Sequence, residues 1–185
     1  MLCLGGRFIA WGAVFCVVGF VDAVAVVLPE RVVKVLRGRL ESEGRTIEEF
    51  VGEAVLEKLD IVDPDVRVEF HLKLCEKYLR ECEDFLAKGD YVQASEKAWG
   101  AAAQAVKALA AKEGRVLRSH ASLWEYVDKL AERLRDVELR HEWGRANNLH
   151  QNFYENWMPP REVEFAVRDV KRFVKKLVEL VKGSL

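Results

Sequence analysis

The sequence predicts an all-α protein: an up-and-down helical bundle preceded by a small strand-helix-helix unit. After residue 64, apolar residues recur at spacings of three and four, the period of an α-helix packed on a core. Proline, glycine and helix-capping residues divide this region into segments of helical length. The sequence contains neither a glycine-rich phosphate loop nor an alternation of strands and helices. At 185 residues, the chain is long enough for one helical core with a small appendage.

Residues 1–22 are predicted to be an apolar N-terminal appendage. An uncharged run from Phe8 to Val21 is followed by Ala23-Val24-Ala25, which has the small residues of a signal-peptide cleavage site. A signal or a membrane anchor is therefore one interpretation, although the run is short for a bilayer span. Because cleavage after Ala25 would cut into the first predicted strand, we favour an over-long start of a cytoplasmic protein.

Residues 23–60 predict one strand and two helices. The Val-rich segment 23–28 favours a strand, and Pro29 opens a helix that ends at Gly44. Thr46 and Glu49 have the spacing of a capping box at the start of the next helix.

This strand-helix-helix pattern resembles the ribbon-helix-helix unit, in which two chains pair their strands. An unpaired strand edge requires a partner, so we expect the segment to mediate homodimerisation. DNA-binding proteins of that class read bases with polar side chains on the strand, whereas Val24 and Val26 offer neither donor nor acceptor. DNA is therefore a disfavoured partner.

Residues 64–183 predict a bundle of helices that begins after the turn Asp63-Pro64-Asp65. The second of them is lined by alanine and should be central, because small side chains let neighbouring helices approach closely. Its predicted N-cap is Asp90, and the next helix should begin at a capping box from Ser122 to Glu125. The predicted helices cover about 65–88, 90–112, 122–135, 137–157 (with a break near Gly144) and 161–182.

The cysteines and histidines predict no metal site and no cofactor. The four cysteines have no CxxC spacing, and no histidine lies at zinc-ligand distance from them. Cys75 and Cys82 are two helical turns apart, which favours two small apolar residues in one core.

Three stretches of the bundle resemble a known family. They are Lys88–Ala103, the pair Leu123-Trp124 after Ser119-His120, and Leu149–Trp157, which reads LHQNFYENW. Together they resemble the archaeal PaREP family within the HEPN (higher eukaryotes and prokaryotes nucleotide-binding) superfamily, over roughly residues 64 to 183. The resemblance implies a HEPN-like bundle. That superfamily includes metal-independent ribonucleases, toxin components paired with nucleotidyltransferases, and members without known catalysis.

Arg145 and His150 are the candidate catalytic residues, because the superfamily signature is an Arg followed by a His after four to six residues. Histidine can move a proton to or from RNA, and arginine can stabilise the phosphate charge of the transition state. On a continuous helix the two side chains would point about 140° apart. A shared site therefore requires a break near Gly144 or a second chain.

Polar residues around His150 are candidate binding residues. The same segment also supports a structural interpretation, because its aromatic residues fall on one helical stripe that is typical of a core or a dimer interface. The candidate binding residues are Asn147, Asn148, Asn152 and Tyr154, and the stripe contains Trp143, Asn147, His150, Tyr154 and Trp157.

Charge limits the choice of function. Lys and Arg number 29 against 30 Asp and Glu, so nucleic acid would have to bind a local patch. The leading hypotheses are a metal-independent ribonuclease or RNA- or nucleotide-binding component, and a non-catalytic helical dimer that binds a protein such as a nucleotidyltransferase. A DNA-binding regulator acting through residues 23–60 is the third.

Overall fold

A computed structural model describes residues 26–43 and 45–183, and these residues are all-helical. No helix within those ranges has an apolar stretch long enough to cross a membrane. Its helices are α1 (Glu30–Glu43), α2 (Ile47–Lys58), α3 (Pro64–Ala87), α4 (Tyr91–Lys112), α5 (His120–Leu134), α6 (Glu138–Glu155) and α7 (Pro160–Lys182).

The prediction of a strand before α1 is wrong for the residues that can be compared. Residues 26–28 adopt no regular structure, while residues 1–25 lie outside the described ranges. A strand is stabilised by hydrogen bonds to a neighbouring strand, and the described part of this chain supplies none. The two helices predicted after the strand are confirmed as α1 and α2.

Two of the three predicted capping residues, Thr46 and Asp90, are confirmed, and the third is shifted. The Thr46 side chain accepts a hydrogen bond from the Glu49 amide at 3.0 Å, and Asp90 accepts one from the Gln93 amide at 3.0 Å. Helix α5 instead begins one residue after Ser119, which forms a capping box with Ser122. The predicted cap at Ser122 is therefore three residues late, because two serines at this spacing also satisfy the box.

Helix α6 is continuous through Gly144, so the predicted break is wrong. Gly144 has no atom within 4 Å of the position that a Cβ would occupy, and its φ is not positive. Glycine lowers helix propensity by only about 1 kcal/mol relative to alanine, and the packed turns on both sides outweigh that cost.

Helix α4 is the centre of the bundle, as the alanine pattern predicts. It packs against α3, α6 and α7, and its alanines are fully buried. The thiols of Cys75 and Cys82 are buried beside it, confirming their place in the core, and burial raises the pKa of Cys75 to about 12. The alanines of this face are Ala94, Ala98, Ala101, Ala102, Ala105 and Ala108.

A buried ionic cluster attaches α2 to the bundle. The Glu49 carboxylate is fully buried and accepts hydrogen bonds from Lys107 Nζ at 2.6 and 2.8 Å. Gln104 Nε2 donates to the same carboxylate at 2.7 Å, which turns its Oε1 towards Nδ1 of His71, also at 2.7 Å. Because Oε1 can only accept, Nδ1 of His71 carries the proton. The cluster thus links α2, α3 and α4.

Removing Lys107 should destabilise the protein strongly. Lys107→Ala removes the nearest counter-charge of the buried Glu49 carboxylate and leaves Arg45, whose Nε is 3.7 Å away, as the remaining cation. We expect the free energy of unfolding to fall by about 3–5 kcal/mol. Urea denaturation measures this difference. Arg118→Ala is the matched control. Arg118 forms an ion pair of 3.0 Å with Glu57, which is on α2 as Glu49 is, but this pair is exposed to solvent. Its loss should lower the free energy of unfolding by less than about 1 kcal/mol. Equal losses in the two variants would contradict a structural role for the buried cluster.

Candidate functional site

A cleft of about 570 Å³ lies between the α1–α2 pair and the bundle. Helix α2, fixed by the Glu49 cluster, forms one wall, and α4 and α6 form the opposite wall. We call this space the histidine cleft. It is lined by Arg37, Leu40, Arg45, Thr46, Ile47, Glu48, Tyr78, Gln93, Glu96, Lys97, Trp99, Gly100, His150, Phe153 and Tyr154.

His150 is held in the cleft by two residues of α4. Its ring stacks on the indole of Trp99, with centroids 3.8 Å apart and planes 16° from parallel. Its Nδ1 lies 2.9 Å from a carboxylate oxygen of Glu96. An ionised carboxylate accepts only, so Nδ1 carries a proton and Nε2 is the nitrogen available to a substrate.

The platform beneath His150 is rigid. Trp99 is 2% exposed, and one turn of α4 places it on the same side as Glu96. The next residue, Gly100, lies against Tyr78: a Cβ at this position would be 3.1 Å from the ring. A larger residue here would push α3 away from α4 and so move the platform.

Asn152 fixes the end of α6 that carries His150. Its Nδ2 donates to Ser95 Oγ of α4 at 3.0 Å, and its Oδ1 accepts from the Met158 amide at 2.6 Å. The residue is almost fully buried. The predicted binding residue Asn152 therefore lies behind the cleft, where it joins α6, α4 and the turn before α7.

His120, at the first turn of α5, lies beside His150. Its ring centroid is 5.1 Å from that of His150 and 5.3 Å from that of Trp99. Burial lowers the pKa of His120, and the neighbouring charges of His150 and Lys107 lower it further, while Glu96 opposes them. His120 is half-buried and stands next to the lining residues.

Cations and aromatic rings complete the cleft. Lys97 lies 5.1 Å above the ring of Tyr78 and 2.6 Å from Glu81. Arg37 is exposed at the cleft and forms no ion pair with the residues that the structure describes. Tyr154 is half-exposed and meets the His150 ring edge-on at 5.1 Å. Positive charge and exposed aromatic surface thus lie together.

Arg145 lies on another face of α6. Its Nε is 3.6 Å from Asp169 of α7, and it lines a second cleft of about 480 Å³ together with Asn148. Since α6 is unbroken, one chain does not bring Arg145 and His150 together. Asn147 donates to the Trp143 carbonyl of its own helix at 2.8 Å. Of the predicted site residues, His150 and Tyr154 share the histidine cleft.

The predicted aromatic stripe is divided between core and surface. Trp143 is fully buried, 5.9 Å from Phe173, whereas Trp157 is half-exposed beyond the end of α6. Asn156 ends that helix in the left-handed conformation, with φ 46°. Trp157 is therefore out of helical register with Trp143.

Sequence reasoning missed Glu96 and His120 as site residues. Glu96 lies within the stretch Lys88–Ala103 that carries the family resemblance, which is the only signal that pointed to it. His120 is the first residue of α5. Ser119-His120 also belongs to the stretches that carry the family resemblance, but the spacing between His120 and His150 gives no signal of a shared site. No group of three or more His, Cys, Asp or Glu residues suited to a metal ion occurs in the described ranges.

Residues 70–174 match the archaeal PaREP1/PaREP8 family. The chain belongs to this family. The matched region of this PaREP protein includes Glu96, Trp99, His120 and His150, and it excludes α1 and α2.

A solved structure is similar to this chain. The crystal structure of a protein from Sulfolobus solfataricus shares 31% sequence identity, with a TM-score of 0.51, and the alignment covers 57% of this chain and 94% of that one. No curated protein matches the chain.

Asn152→Ala should destabilise the PaREP bundle. The substitution removes the acceptor of the part-buried Met158 amide and the donor to Ser95 Oγ, although the Ser95 hydroxyl still donates to the Tyr91 carbonyl at 2.7 Å. We expect the free energy of unfolding to fall by about 1–3 kcal/mol. Chemical denaturation provides the measurement. Asn148→Ala, on the exposed face of the same helix, is the control and should change stability by no more than about 0.5 kcal/mol. An Asn152→Ala variant with the same free energy of unfolding as the unmodified protein would show that the turn after α6 does not depend on this side chain.

Proposed function

We propose that this protein binds RNA in the histidine cleft and cleaves it without a metal ion, as a member of the HEPN superfamily. The observation that carries the proposal is the contact of His150 with Glu96 on the Trp99 platform. A carboxylate at Nδ1 fixes the orientation of the imidazole and stabilises its positive charge when the ring is protonated. These are the properties that a proton-transfer group requires.

The chemistry of the cleft wall supports a nucleotide unit as ligand. The volume of the histidine cleft, about 570 Å³, lies within the range of small-molecule sites, which is roughly 300–1,000 Å³. Arg37 offers positive charge to phosphate, and Lys97, which is paired with Glu81, lines the same cleft. The half-exposed ring of Tyr154 offers a surface on which a base can stack, and stacking is how proteins commonly hold single-stranded RNA.

The substrate is proposed to be RNA because of its 2′-hydroxyl. Histidine chemistry can activate that internal nucleophile, which DNA lacks. Transfer of its proton makes cleavage possible without a metal-bound water. An RNA substrate is also consistent with the cytoplasmic location expected from the sequence.

The test compares two site variants with one control. We expect His150→Ala to reduce cleavage of single-stranded RNA by about 10²–10⁴-fold and to leave the thermal unfolding midpoint close to that of the unmodified protein. Glu96→Gln should cause a smaller loss, because the amide can still orient the ring but cannot balance its charge. Cleavage is followed on end-labelled RNA, with and without chelator.

The control for this assay is His141→Ala. His141 is on the same helix, but its side chain is exposed and far from the cleft lining, so full activity is expected. A chelator-sensitive activity, or one that His150→Ala retains, would contradict the proposal.

A second candidate function, self-association, is supported by the apolar surface of the N-terminal helices. Val35 of α1 is 70% exposed and Leu59, at the end of α2, is 63% exposed. Val32, Val55 and Val62 are exposed on the same two helices and the turn that follows them. Apolar side chains grouped on one part of a surface are typical of an interface. We propose that a second copy of the chain covers them.

Light scattering tests self-association. We expect a dimer at micromolar concentration, and we expect Val35→Glu to shift it towards the monomer because a carboxylate would be buried without a partner. Val116→Glu is the control, since Val116 is an exposed valine in the connection from α4 to α5. A monomeric unmodified protein would exclude this interface and leave the cleft chemistry to one chain.

A further inference from the structure

Two histidines from different helices meet over one tryptophan. His120 comes from the first turn of α5 and His150 from α6, and both rings contact Trp99 of α4. Their ring centroids are 5.1 Å apart. One phosphodiester group can therefore contact both imidazoles at once.

We propose that His120 and His150 form an acid–base pair for RNA transesterification, in which His120 is the general base and His150 the general acid. This inference rests on the function proposed above and assigns a role to a residue that the superfamily signature does not include.

The proposed step is balanced without a metal or a redox partner. His120 takes the proton of the 2′-hydroxyl as O2′ forms a bond to phosphorus. The bond between phosphorus and O5′ breaks, and His150 gives its proton to the departing O5′. The products are a 2′,3′-cyclic phosphate and a 5′-hydroxyl. The pair ends with His120 as the imidazolium and His150 as a neutral ring that keeps its Nδ1 proton towards Glu96, which reverses the starting charges of the two rings.

The surroundings of each ring support these roles. His120 is faced by His150 of α6 and by Lys107 and Glu96 of α4. Burial and the two cations lower the pKa of His120 and so favour the neutral ring that a base requires. Its place at the N-terminus of α5 acts in the same direction, because the helix dipole is positive there.

The charged group that contacts His150 is a carboxylate. The Glu96 carboxylate lies 2.9 Å from its Nδ1 and balances the charge of a protonated ring. The other neighbouring groups are His120 and the edge of Tyr154. A protonated His150 beside a neutral His120 is the starting state that the reaction needs.

RNA with sulphur in place of the bridging O5′ separates the two roles. A thiolate leaves without needing a proton, so the loss of a general acid no longer slows the reaction. We expect His150→Gln to cleave ordinary RNA about 10²–10⁴-fold more slowly than the unmodified protein but to cleave the thio-substituted RNA at a similar rate. His120→Gln should remain slow on both substrates, because the 2′-hydroxyl still needs a base.

The pH dependence gives an independent readout. The unmodified protein should show a bell-shaped profile, whose acidic limb reports the base and whose alkaline limb reports the acid. His120→Gln should lose the acidic limb, and His150→Gln should lose the alkaline one. Glutamine retains hydrogen-bonding capacity, so these variants keep the Trp99 contact region polar, and circular dichroism confirms that they fold.

The outcomes distinguish this inference from the proposed function. An unmodified protein that cleaves neither RNA overturns both. If the unmodified protein is active and His120→Gln matches it on ordinary RNA, the function stands and the role of His120 is overturned. Rescue of His120→Gln by the thio-substituted RNA would reverse the assignment of base and acid, and it would likewise overturn the inference.

Discussion

The contact between the buried carboxylate of Glu49 and the ammonium of Lys107 determines whether there is a cleft. Transfer of either charge alone into the core would cost several kcal/mol, so each requires the other. Arg45 and Glu53 extend the cluster with an ion pair of 2.6 Å, and burial, followed by the charge of Glu49, raises the pKa of Glu53. Because these charges can be satisfied in one arrangement of α2 on α4, the wall opposite His150 has a defined position.

The opposite wall depends on the small residues of α4. Alanines at its buried positions bring α3, α6 and α7 close to one axis, and Trp99 is the large side chain that this crowded helix presents to His150 and His120. A single indole then orients two imidazoles from different helices. The close packing of small residues on α4 therefore also determines where the two histidine rings lie.

The sequence predicted what is encoded locally. Helix periodicity, Asp90 and Thr46 as caps, the alanine face of α4 and the buried Cys75 and Cys82 each depend on residues within a few turns. The prediction of a strand before α1 is wrong for residues 26–28 because a strand needs a neighbouring strand. The prediction of a break at Gly144 is wrong because the packing of α6 outweighs the low helix propensity of glycine. His150 was found by its spacing from Arg145, although the structure places the two on different faces.

Contacts between distant parts of the chain were not predictable from one sequence. Glu96 and His150 are separated by 54 positions, and no periodicity within one helix relates them. His120 depends on the angle at which α5 crosses α4, which is set by the packing of both. The spacing of Glu49 from Thr46 predicted a capping box. The Glu49 carboxylate instead accepts a hydrogen bond from Lys107, which lies 58 positions further along the chain.

The boundary of the family match runs through the cleft. Residues 70–174 contain both histidines, Glu96 and Trp99, while Arg37, Arg45 and Glu48 on the facing wall precede them. The proposed reactive groups and the surface that would limit access to them are therefore encoded in separable lengths of chain. Under the proposed function, exchange of the N-terminal helices would alter the size and charge of the ligand that the cleft accepts without altering the proposed proton-transfer groups, which would give this architecture a direct route to new specificity.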